Sequence, residues 1–393
     1  MSANIKKLYI SHILTGLVFW YGIEKLFMGS IGISPTGIGV ATAVYLAFNL
    51  LFDVPAGMLA DRWSRKGVLV ISTLSLIACS LTLGTSHGLP QYLLGYLFYG
   101  CYMVTTNGVY QALIYDCLHE EGRGDTYSRV MGRAYALFLV GGGLSDICSG
   151  FLAHRLGYPF TFFVTIVPCT LNAVILMSIK EPHFHMTEQR EKIWSSFAVS
   201  ARELIRVHLL RALAIVWSIL FIVEIFKQDF GQVYMLRYVT APQAIGLLWA
   251  AYAFTWALGS FVAHYFKKHL SWLIALSVLP LLVMSFVDSR VSLVLFMVQA
   301  VAAAAMYNLI ETRVQEATPS RVRASILSLL ATSGRTVAVP ASFGIGYLIA
   351  HYNAFVALRG VTIIAVAVLA YWFAANRRFE TLARAKQEIA ADQ

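Results

Sequence analysis

The chain has 393 residues, of which 58% are hydrophobic and only 13% are charged, about half the charged share of an average soluble domain, and this composition excludes an ordinary soluble globular protein. The formal net charge of +10 raises the question of a nucleic-acid partner, but most Lys and Arg residues lie in short polar breaks between long apolar runs. Because cytoplasmic loops of membrane proteins are enriched in these residues, the charge predicts membrane topology and no nucleic-acid partner.

The apolar runs have the length of membrane-spanning helices. Such a helix needs roughly 20 mostly apolar residues, and about twelve runs meet that requirement. Repeated ten-residue alternation, typical of a membrane β-barrel, does not occur. We predict an all-α, multi-pass protein in the lipid bilayer of a plasma membrane, in bacteria the inner membrane, with both termini cytoplasmic. The expected spans are 8–28, 36–60, 67–86, 90–116, 129–152, 159–179, 208–228, 240–265, 271–287, 291–316, 324–350 and 353–375.

The first apolar run is long enough to remain as a span instead of being removed as a signal peptide. It carries His12, Gly16, Trp20 and Glu24 at four-residue intervals, which places them on one helical face. Lys25 follows Glu24 directly. Two interpretations are open: an ion pair near the outer interface with Trp20 as an interfacial aromatic residue, or a carboxylate that lines a cavity.

A short charged stretch, residues 57–67, separates the second and third apolar runs. Its ions would each cost several kcal/mol in hydrocarbon, so the stretch is expected to be a tight loop at a membrane face. It resembles the signature loop of the major facilitator superfamily of transporters, Gly-x-Leu-Ala-Asp-Arg-x-Gly-Arg-Lys, between the second and third membrane helices. Ser64 replaces one glycine of that pattern; the residues that match are Gly57, Leu59, Ala60, Asp61, Arg62, Arg65 and Lys66.

This resemblance implies a fold and a role for the loop. The fold is twelve transmembrane helices in two pseudo-symmetric six-helix bundles, which we expect at 1–180 and 207–376, with a cytoplasmic linker at 181–206 and a cytoplasmic tail at 377–393. The loop would hold the inner gate, with Asp61 engaging the neighbouring bundle. The implied gating residues are Gly57, Asp61, Arg62, Arg65 and Lys66.

The two halves of the sequence echo each other, as in transporters built from repeats. Residues 259–268 follow the eighth run as residues 57–66 follow the second, keeping the glycine and the final two bases but losing the acid. Residues 150–154 and 346–351, near the ends of the fifth and eleventh runs, are also alike. Both pairs are separated by about half of the chain, which supports the two-bundle prediction.

Two further acids and a polar patch interrupt the apolar runs of the first half. Asp53 lies in the inner third of its span and either couples to protons or tethers its helix to a neighbour. Asp146 follows three glycines in the fifth run. The patch at 105–111 includes Asn107 and Gln111. The resemblance implies an arginine one turn before Asn107, but Val104 stands there, so proton coupling does not carry over through that residue.

The one long hydrophilic segment, 181–206, has apolar residues at helical spacing. It is interpreted as an amphipathic helix on the inner membrane surface, with a partner-binding helix as the alternative. His183 and His185 suggest a metal but are more typical of a solvated linker. We therefore expect no metal and no cofactor. The five cysteines lack metal-ligand spacing and are interpreted as packing residues.

The second half adds polar residues to its apolar runs. Trp217 and Glu224 lie on one face of the seventh run, and Tyr307 and Asn308 lie in the tenth. Arg335 lies about twelve residues into the eleventh run, which at roughly 1.5 Å rise per residue places it near the membrane centre. A charge at that depth needs a partner or water.

The resemblance implies that helices 1, 4, 7 and 10 line the substrate site. Aromatic and acidic side chains there would suit an amphipathic or cationic small molecule. Buried carboxylates change protonation as their exposure changes, so Glu24, Asp53, Asp146 and Glu224 are the proton-coupling candidates. The substrate-binding candidates are Trp20, Glu24, Asn107, Gln111, Trp217, Glu224, Tyr307, Asn308 and Arg335.

We therefore predict a monomeric secondary transporter that works by alternating access, with proton-coupled efflux as the favoured direction. The alternatives are proton-coupled import of a metabolite and, in another class, a membrane receptor or scaffold that transports nothing. An enzyme is not expected, because His-Glu-x-x-His, Gly-x-Ser-x-Gly and a phosphate-binding glycine loop do not occur in the sequence.

Overall fold

The computed structural model describes residues 3–182, 201–267, 269–318 and 320–391, and this part of the chain is helical, without a strand. The first half contains α1 (Ala3–Gly16), α2 (Glu24–Ser30), α3 (Pro35–Arg62), α4 (Arg65–Gly84), α5 (Leu89–Thr106), α6 (Val109–Glu120), α7 (Tyr127–Leu156) and α8 (Tyr158–Met177). The second half contains α9 (His208–Met235), α10 (Pro242–Val262), α11 (Leu270–Met284), α12 (Val291–Glu316), α13 (Ser320–His351) and α14 (Ala354–Ala391). Short 3-10 turns precede α2 and α7 and follow α10.

The predicted fold class is confirmed. Within the described residues, nine helices are long and apolar enough to cross a membrane, and α11 is a shorter apolar helix. The other two expected spans, the first and the fourth, are each divided into two helices, α1 with α2 and α5 with α6. The chain is therefore an all-α membrane protein, with twelve membrane segments in the part that the structure describes.

The two divided spans break for different reasons. Between α5 and α6, Gly108 has a φ of 76°, in the left-handed region that only glycine adopts readily, and this ends α5. Between α1 and α2 the chain leaves the helix after Gly16 and forms the turn Tyr21–Ile23. The backbone amide of Phe19 donates to Thr165 Oγ1 at 3.0 Å. Irregular backbone at membrane depth is tolerated only where such partners replace the helical bonds.

This break overturns one expectation from the sequence. Four-residue spacing places side chains on one face only along an uninterrupted helix. Because α1 ends at Gly16, the prediction that His12, Gly16, Trp20 and Glu24 share a face is wrong. His12 and Gly16 are on α1, whereas Trp20 precedes the 3-10 turn and Glu24 begins α2.

The chain divides into two compact units. The first comprises the described part of Met1–Gln189 together with Asp229–Phe254 and Ser342–His351; the second comprises the described parts of Arg190–Gln228, Thr255–Ala341 and Tyr352–Gln393. The division into bundles at 1–180 and 207–376 stays a prediction. The predicted linker helix, which includes Trp194, and the pair His183 and His185 lie outside the described residues, apart from a helical stretch at 201–206.

Glycines bring helix backbones into direct contact in the first unit. A Cβ atom added to Gly16 of α1 would lie 2.3 Å from the carbonyl oxygen of Phe138 on α7, and one added to Gly141 of α7 would lie 2.4 Å from that of Ile13. Small residues permit this approach, which replaces the hydrophobic driving force that is missing between helices in lipid. The α1–α7 contact therefore depends on Gly16 and Gly141.

We predict that Gly141→Leu lowers the thermal unfolding midpoint of the purified protein, because overpacking a close contact costs about 1–3 kcal/mol. Gly143→Leu is the matched control, since among the described residues no heavy atom beyond its own turn of helix backbone lies within 4 Å of the Cβ position at Gly143. The measurement is thermal unfolding of both variants in the same detergent. Equal midpoints for the two variants would contradict the proposed packing.

Candidate functional site

The first unit contains a buried cluster of charge just after the break in the first span. Glu24 is 7% exposed and Lys25 is 4% exposed. Glu24 Oε2 lies 2.9 Å from Lys25 Nζ, and Glu24 Oε1 accepts hydrogen bonds from the hydroxyl groups of Tyr92 at 3.0 Å and Tyr96 at 2.8 Å. Both tyrosines belong to α5. The carboxylate of Glu24 is thus held by an ion pair and two hydrogen bonds.

Lys25 extends this cluster to α9. Its ammonium lies 3.6 Å from Asp229 Oδ1, and its backbone amide donates to Gln232 Oε1 at 3.0 Å. Gln232 Nε2 in turn donates to the carbonyl oxygen of Tyr21 at 2.6 Å. We call Glu24, Lys25, Tyr92, Tyr96, Asp229 and Gln232 the Lys25 network. It fixes the irregular backbone between α1 and α2 to α5 and to α9, and it places one ammonium between two carboxylates.

Trp20, a predicted substrate-binding residue, is enclosed by protein. Its side chain is 1% exposed, stacks on Phe162 with ring centroids 5.3 Å apart and donates through Nε1 to Ser80 Oγ at 3.3 Å. These partners lie on α4 and α8. The structure therefore places Trp20 in the packing between helices of the first unit.

The polar patch at the α5–α6 break is placed differently. Asn107 and Gln111 are exposed, and they flank the left-handed Gly108. Behind them, Tyr110 is buried and its hydroxyl lies 2.8 Å from Ser11 Oγ and 3.0 Å from Thr15 Oγ1. The patch thus separates into exposed amides and a buried hydroxyl.

Sequence reasoning missed the interior polar cluster to which Tyr110 belongs. Ser11 Oγ donates to Asn172 Oδ1 at 2.6 Å, and Asn172 Nδ2 donates to Thr15 Oγ1 at 3.1 Å and to Thr73 Oγ1 at 3.3 Å. The cluster joins α1, α4, α6 and α8. Its one signal in the sequence was an asparagine within the apolar run of α8.

The second unit brings together two predicted site residues, Trp217 of α9 and Tyr307 of α12. Their rings meet edge to face with centroids 4.7 Å apart, and Trp256 of α10 lies 6.2 Å from Tyr307. Trp217 Nε1 is buried and has no hydrogen-bond partner among the described residues. We call Trp217, Trp256 and Tyr307 the aromatic cluster. It offers ring surfaces and, at Trp217, an indole N–H donor.

A second acid and lysine lie further along α9. Glu224 is 3% exposed and Lys227 is fully buried. The ammonium of Lys227 donates to Gln299 Oε1 and, at 3.3 Å, to the carbonyl oxygen of Phe296, and it lies 4.6 Å from the centroid of the Phe296 ring. Each half of the chain therefore buries a glutamate close in sequence to a buried lysine.

The other predicted residues of the second unit are more open. Asn308 is exposed, and its Nδ2 donates to Ser260 Oγ at 3.1 Å and to the carbonyl oxygen of Ala304 at 2.8 Å. Arg335 is half-buried on α13. A cavity of about 250 Å³ between α10, α11 and α12 has an apolar lining that includes Leu276 and Val298, so it lacks the polar groups that orient a solute.

The charged stretch at the α3–α4 junction is tied to its own unit. The expectation of a tight loop over 57–67 is wrong, because α3 continues to Arg62 and α4 begins at Arg65, which leaves only Trp63 and Ser64 between the helices. Ser64 takes an extended conformation and its Oγ accepts from the backbone amide of Gly67 at 2.7 Å, so the position needs no glycine and serves as the N-cap of α4. Arg65 donates to the carboxylate of Asp116 on α6 and, at 3.2 Å, to Asp61 Oδ1. Asp61 is exposed; its contact with the second bundle stays a prediction.

The acids expected to couple to protons also differ in their surroundings. Asp53 is half-buried on α3. Asp146 is 6% exposed, and its Oδ1 has no hydrogen-bond partner within the described residues. Glu24 and Glu224, in contrast, lie close to lysines. The four candidates are therefore not equivalent.

Comparison with known proteins agrees with this architecture. The family model described as Major Facilitator Superfamily matches residues 8–342. An uncharacterized transporter of Buchnera aphidicola subsp. Schizaphis graminum is 24% identical over 139 residues, 35% of this chain and 34% of that protein. An uncharacterized MFS-type transporter of Schizosaccharomyces pombe is 25% identical over 175 residues, 42% of this chain and 38% of that protein. The chain thus matches little more than a third of the length of these curated relatives.

Solved structures resemble the chain over nearly its whole length. The nucleoside transporter NupG matches with a TM-score of 0.76 and 13% identity, covering 96% of this chain and 99% of that one. A D-xylose-proton symporter matches with a TM-score of 0.73 and 12% identity, covering 94% and 96%. At these identities the likeness concerns the fold alone.

We predict that Lys25→Met strongly destabilises the protein, because removing one partner of a buried ion pair costs about 3–5 kcal/mol. Glu24 and Asp229 would then be buried without their ammonium. The measurement is the thermal unfolding midpoint in detergent, with Lys6→Met as the control, since Lys6 is exposed on α1.

Adding Glu24→Gln to Lys25→Met should recover part of the lost stability, since one uncompensated carboxylate is removed. The effect of Glu24→Gln on the unfolding midpoint is therefore compared in the parent and in Lys25→Met. If Glu24→Gln lowers the midpoint by the same amount in both, the two residues do not interact.

Proposed function

Because the chain belongs to the major facilitator superfamily, whose family model matches residues 8–342, we propose that it is a secondary transporter that moves a small organic solute across the membrane by alternating access. The observation that supports a transport site best is the aromatic cluster, in which two residues expected at the site, Trp217 and Tyr307, lie in contact. Buried acids in both halves of the sequence supply candidates for proton coupling. We further propose that the chain acts as a monomer.

The side chains favour an amphipathic solute that carries a ring. Trp217, Trp256 and Tyr307 offer stacking and edge contacts, and the indole N–H of Trp217 can donate to an acceptor on the solute. A cationic solute, the other expectation from the sequence, would compete with Lys25 for Glu24, because that carboxylate is already in an ion pair. We propose that Asn308 and Arg335 of the second unit add polar contacts, and Asn107 and Gln111 of the first unit stay substrate-binding candidates from the sequence.

For energy we propose exchange of the solute for protons, which exports the solute when protons enter. A carboxylate that alternates between a dry and a wet environment changes its proton occupancy, and Glu24, Asp53, Asp146 and Glu224 are the candidates. Proton-coupled import is the alternative direction. Exchange and symport predict opposite directions of solute flux. An inward proton gradient increases outward solute flux in exchange, whereas it increases inward solute flux in symport.

We propose that both termini and the α3–α4 junction lie on the cytoplasmic side of the plasma membrane, in bacteria the inner membrane. This orientation places the basic residues of the junction, Arg62, Arg65 and Lys66, where Lys and Arg are enriched. The ties from Arg65 to Asp116 and from Lys66 Nζ to the carbonyl oxygen of Ile179 at 3.1 Å would make the junction a rigid support for Asp61.

Proteoliposomes that contain the purified chain should accumulate or release neutral aromatic dyes when a pH gradient is imposed, and a protonophore should abolish this flux. Trp217→Ala should raise the KM about tenfold, the effect of losing about 1.4 kcal/mol of ring contact and hydrogen bonding. Trp272→Ala is the control, since Trp272 is 75% exposed on α11.

Two results would contradict this proposal. If dye flux does not change with the pH gradient, transport is not coupled to protons. The absence of flux for a broad panel of neutral and cationic aromatic solutes, in a protein that still binds a partner, would favour the receptor or scaffold alternative.

Asp61→Asn should slow transport about fivefold without lowering the unfolding midpoint. Losing a contact worth about 1 kcal/mol changes the ratio of the two conformations that transport alternates between by about fivefold. Initial rates of dye flux in proteoliposomes give the measurement. Asp125→Asn, an exposed acid before α7, serves as the control. Equal rates for both variants and the parent would argue against a gating role for Asp61.

A further inference from the structure

Asp146 is a buried carboxylic acid in the middle of α7. The residue is 6% exposed, and Oδ1 is buried without a hydrogen-bond partner among the described residues. An ionised carboxylate without a partner is very costly in an environment of low dielectric constant. The uncharged acid is the form compatible with these surroundings.

The backbone of α7 around Asp146 is in close contact with two other segments of the first unit. A Cβ atom on Gly22, in the turn before α2, would lie 3.2 Å from the carbonyl oxygen of Asp146. One on Gly246 of α10 would lie 2.8 Å from the same oxygen, and one on Gly150 of α7 would lie 2.3 Å from the carbonyl oxygen of Pro242. Asp146 therefore lies where α7 meets both the broken first span and the start of α10.

Within the described residues, Asp146 Oδ1 has no ionisable partner. In the described parts of the chain, none of the groups on the segments packed here forms a hydrogen bond with Asp146 Oδ1. Glu24 and Lys25 are instead paired with each other. The ionisable groups on these segments are Lys6, Lys7, Tyr9 and His12 on α1, Tyr21 in the turn, Glu24 and Lys25 on α2, Tyr127, Arg129, Arg133, Tyr135, Cys148, His154 and Arg155 on α7, Tyr158 and Cys169 on α8 and Tyr252 on α10.

We infer that Asp146 is a proton-binding site that controls the contact between α7 and the start of α10: the contact is closed when Asp146 carries a proton and opens when the proton leaves. In the closed form the uncharged acid is buried at the contact. Opening admits water, which solvates the carboxylate and allows the proton to dissociate. This inference rests on the proposed alternating-access transport and assigns its proton-binding residue.

The test measures the contact itself and needs no substrate. Spin labels at Arg155→Cys, at the end of α7, and Thr240→Cys, just before α10, report the distance across it by double electron–electron resonance. Both positions are exposed. The full-length protein is studied in lipid nanodiscs, with the exposed Cys148 replaced by serine, at acidic and alkaline pH.

The parent should show one short distance at acidic pH and gain a longer one at alkaline pH. Asp146→Asn, which mimics the protonated acid, should keep the short distance at both pH values, and Asp146→Ser should behave in the same way. Asp146→Glu should keep the pH response. Asp125→Asn, which removes an exposed acid, should match the parent.

The inference is overturned if Asp146→Asn or Asp146→Ser gains the longer distance at alkaline pH as the parent does; alternating access would still stand, since the contact opens. A distance that is the same at all pH values in the parent also overturns the inference. If that distance further stays fixed when a transported dye is added, the result counts against alternating access as well.

Discussion

The compensation of buried charge inside the membrane segments is the constraint on which this structure depends. An isolated ion in hydrocarbon costs several kcal/mol, so every ionisable side chain at that depth needs an opposite charge, a set of hydrogen bonds or a proton. Lys25 meets this need with Glu24 and Asp229, whereas Lys227 meets it with Gln299, a carbonyl oxygen and an aromatic ring. Asp146 has neither an ion pair nor a hydrogen bond to Oδ1 in the described chain.

The same constraint explains why the first span can be broken. Helix ends expose backbone groups that lipid cannot satisfy, and here Thr165 and Gln232 satisfy them from other helices. The break also places Glu24 and Lys25 side by side at the start of α2, within reach of the tyrosines of α5. Irregular backbone and buried charge thus occur together, and each is stable because the other segments of the first unit supply partners.

Much of the fold follows from composition and one motif. Apolar runs of helix length predicted the membrane segments, and the order of glycine, acid and bases at 57–67 indicated the superfamily. Trp217 and Tyr307, both named from the sequence as substrate-binding candidates, lie in contact, but their role at a substrate site stays a prediction.

Other features could not be predicted, because they depend on interactions that are distant in sequence. The spacing of His12, Gly16, Trp20 and Glu24 indicated one helical face, but hydrogen bonds from α8 and α9 stabilise a break that the pattern does not contain. The sequence around Lys227 does not indicate that Gln299, 72 residues away, accepts its hydrogen bond. Whether Asp146 has a hydrogen-bond partner likewise depends on how α7 packs against other helices.

Each buried carboxylate is expected to be either paired and ionised or unpaired and protonated. Infrared difference spectroscopy of the purified protein at neutral pH distinguishes these two states. We expect the parent minus Asp146→Asn spectrum to contain the C=O stretching band of a protonated carboxylic acid, whereas the parent minus Glu24→Gln spectrum should contain carboxylate bands and no such band. If the Asp146 difference spectrum shows carboxylate bands without the protonated-acid band, Asp146 is ionised and the assignment of buried charge is wrong.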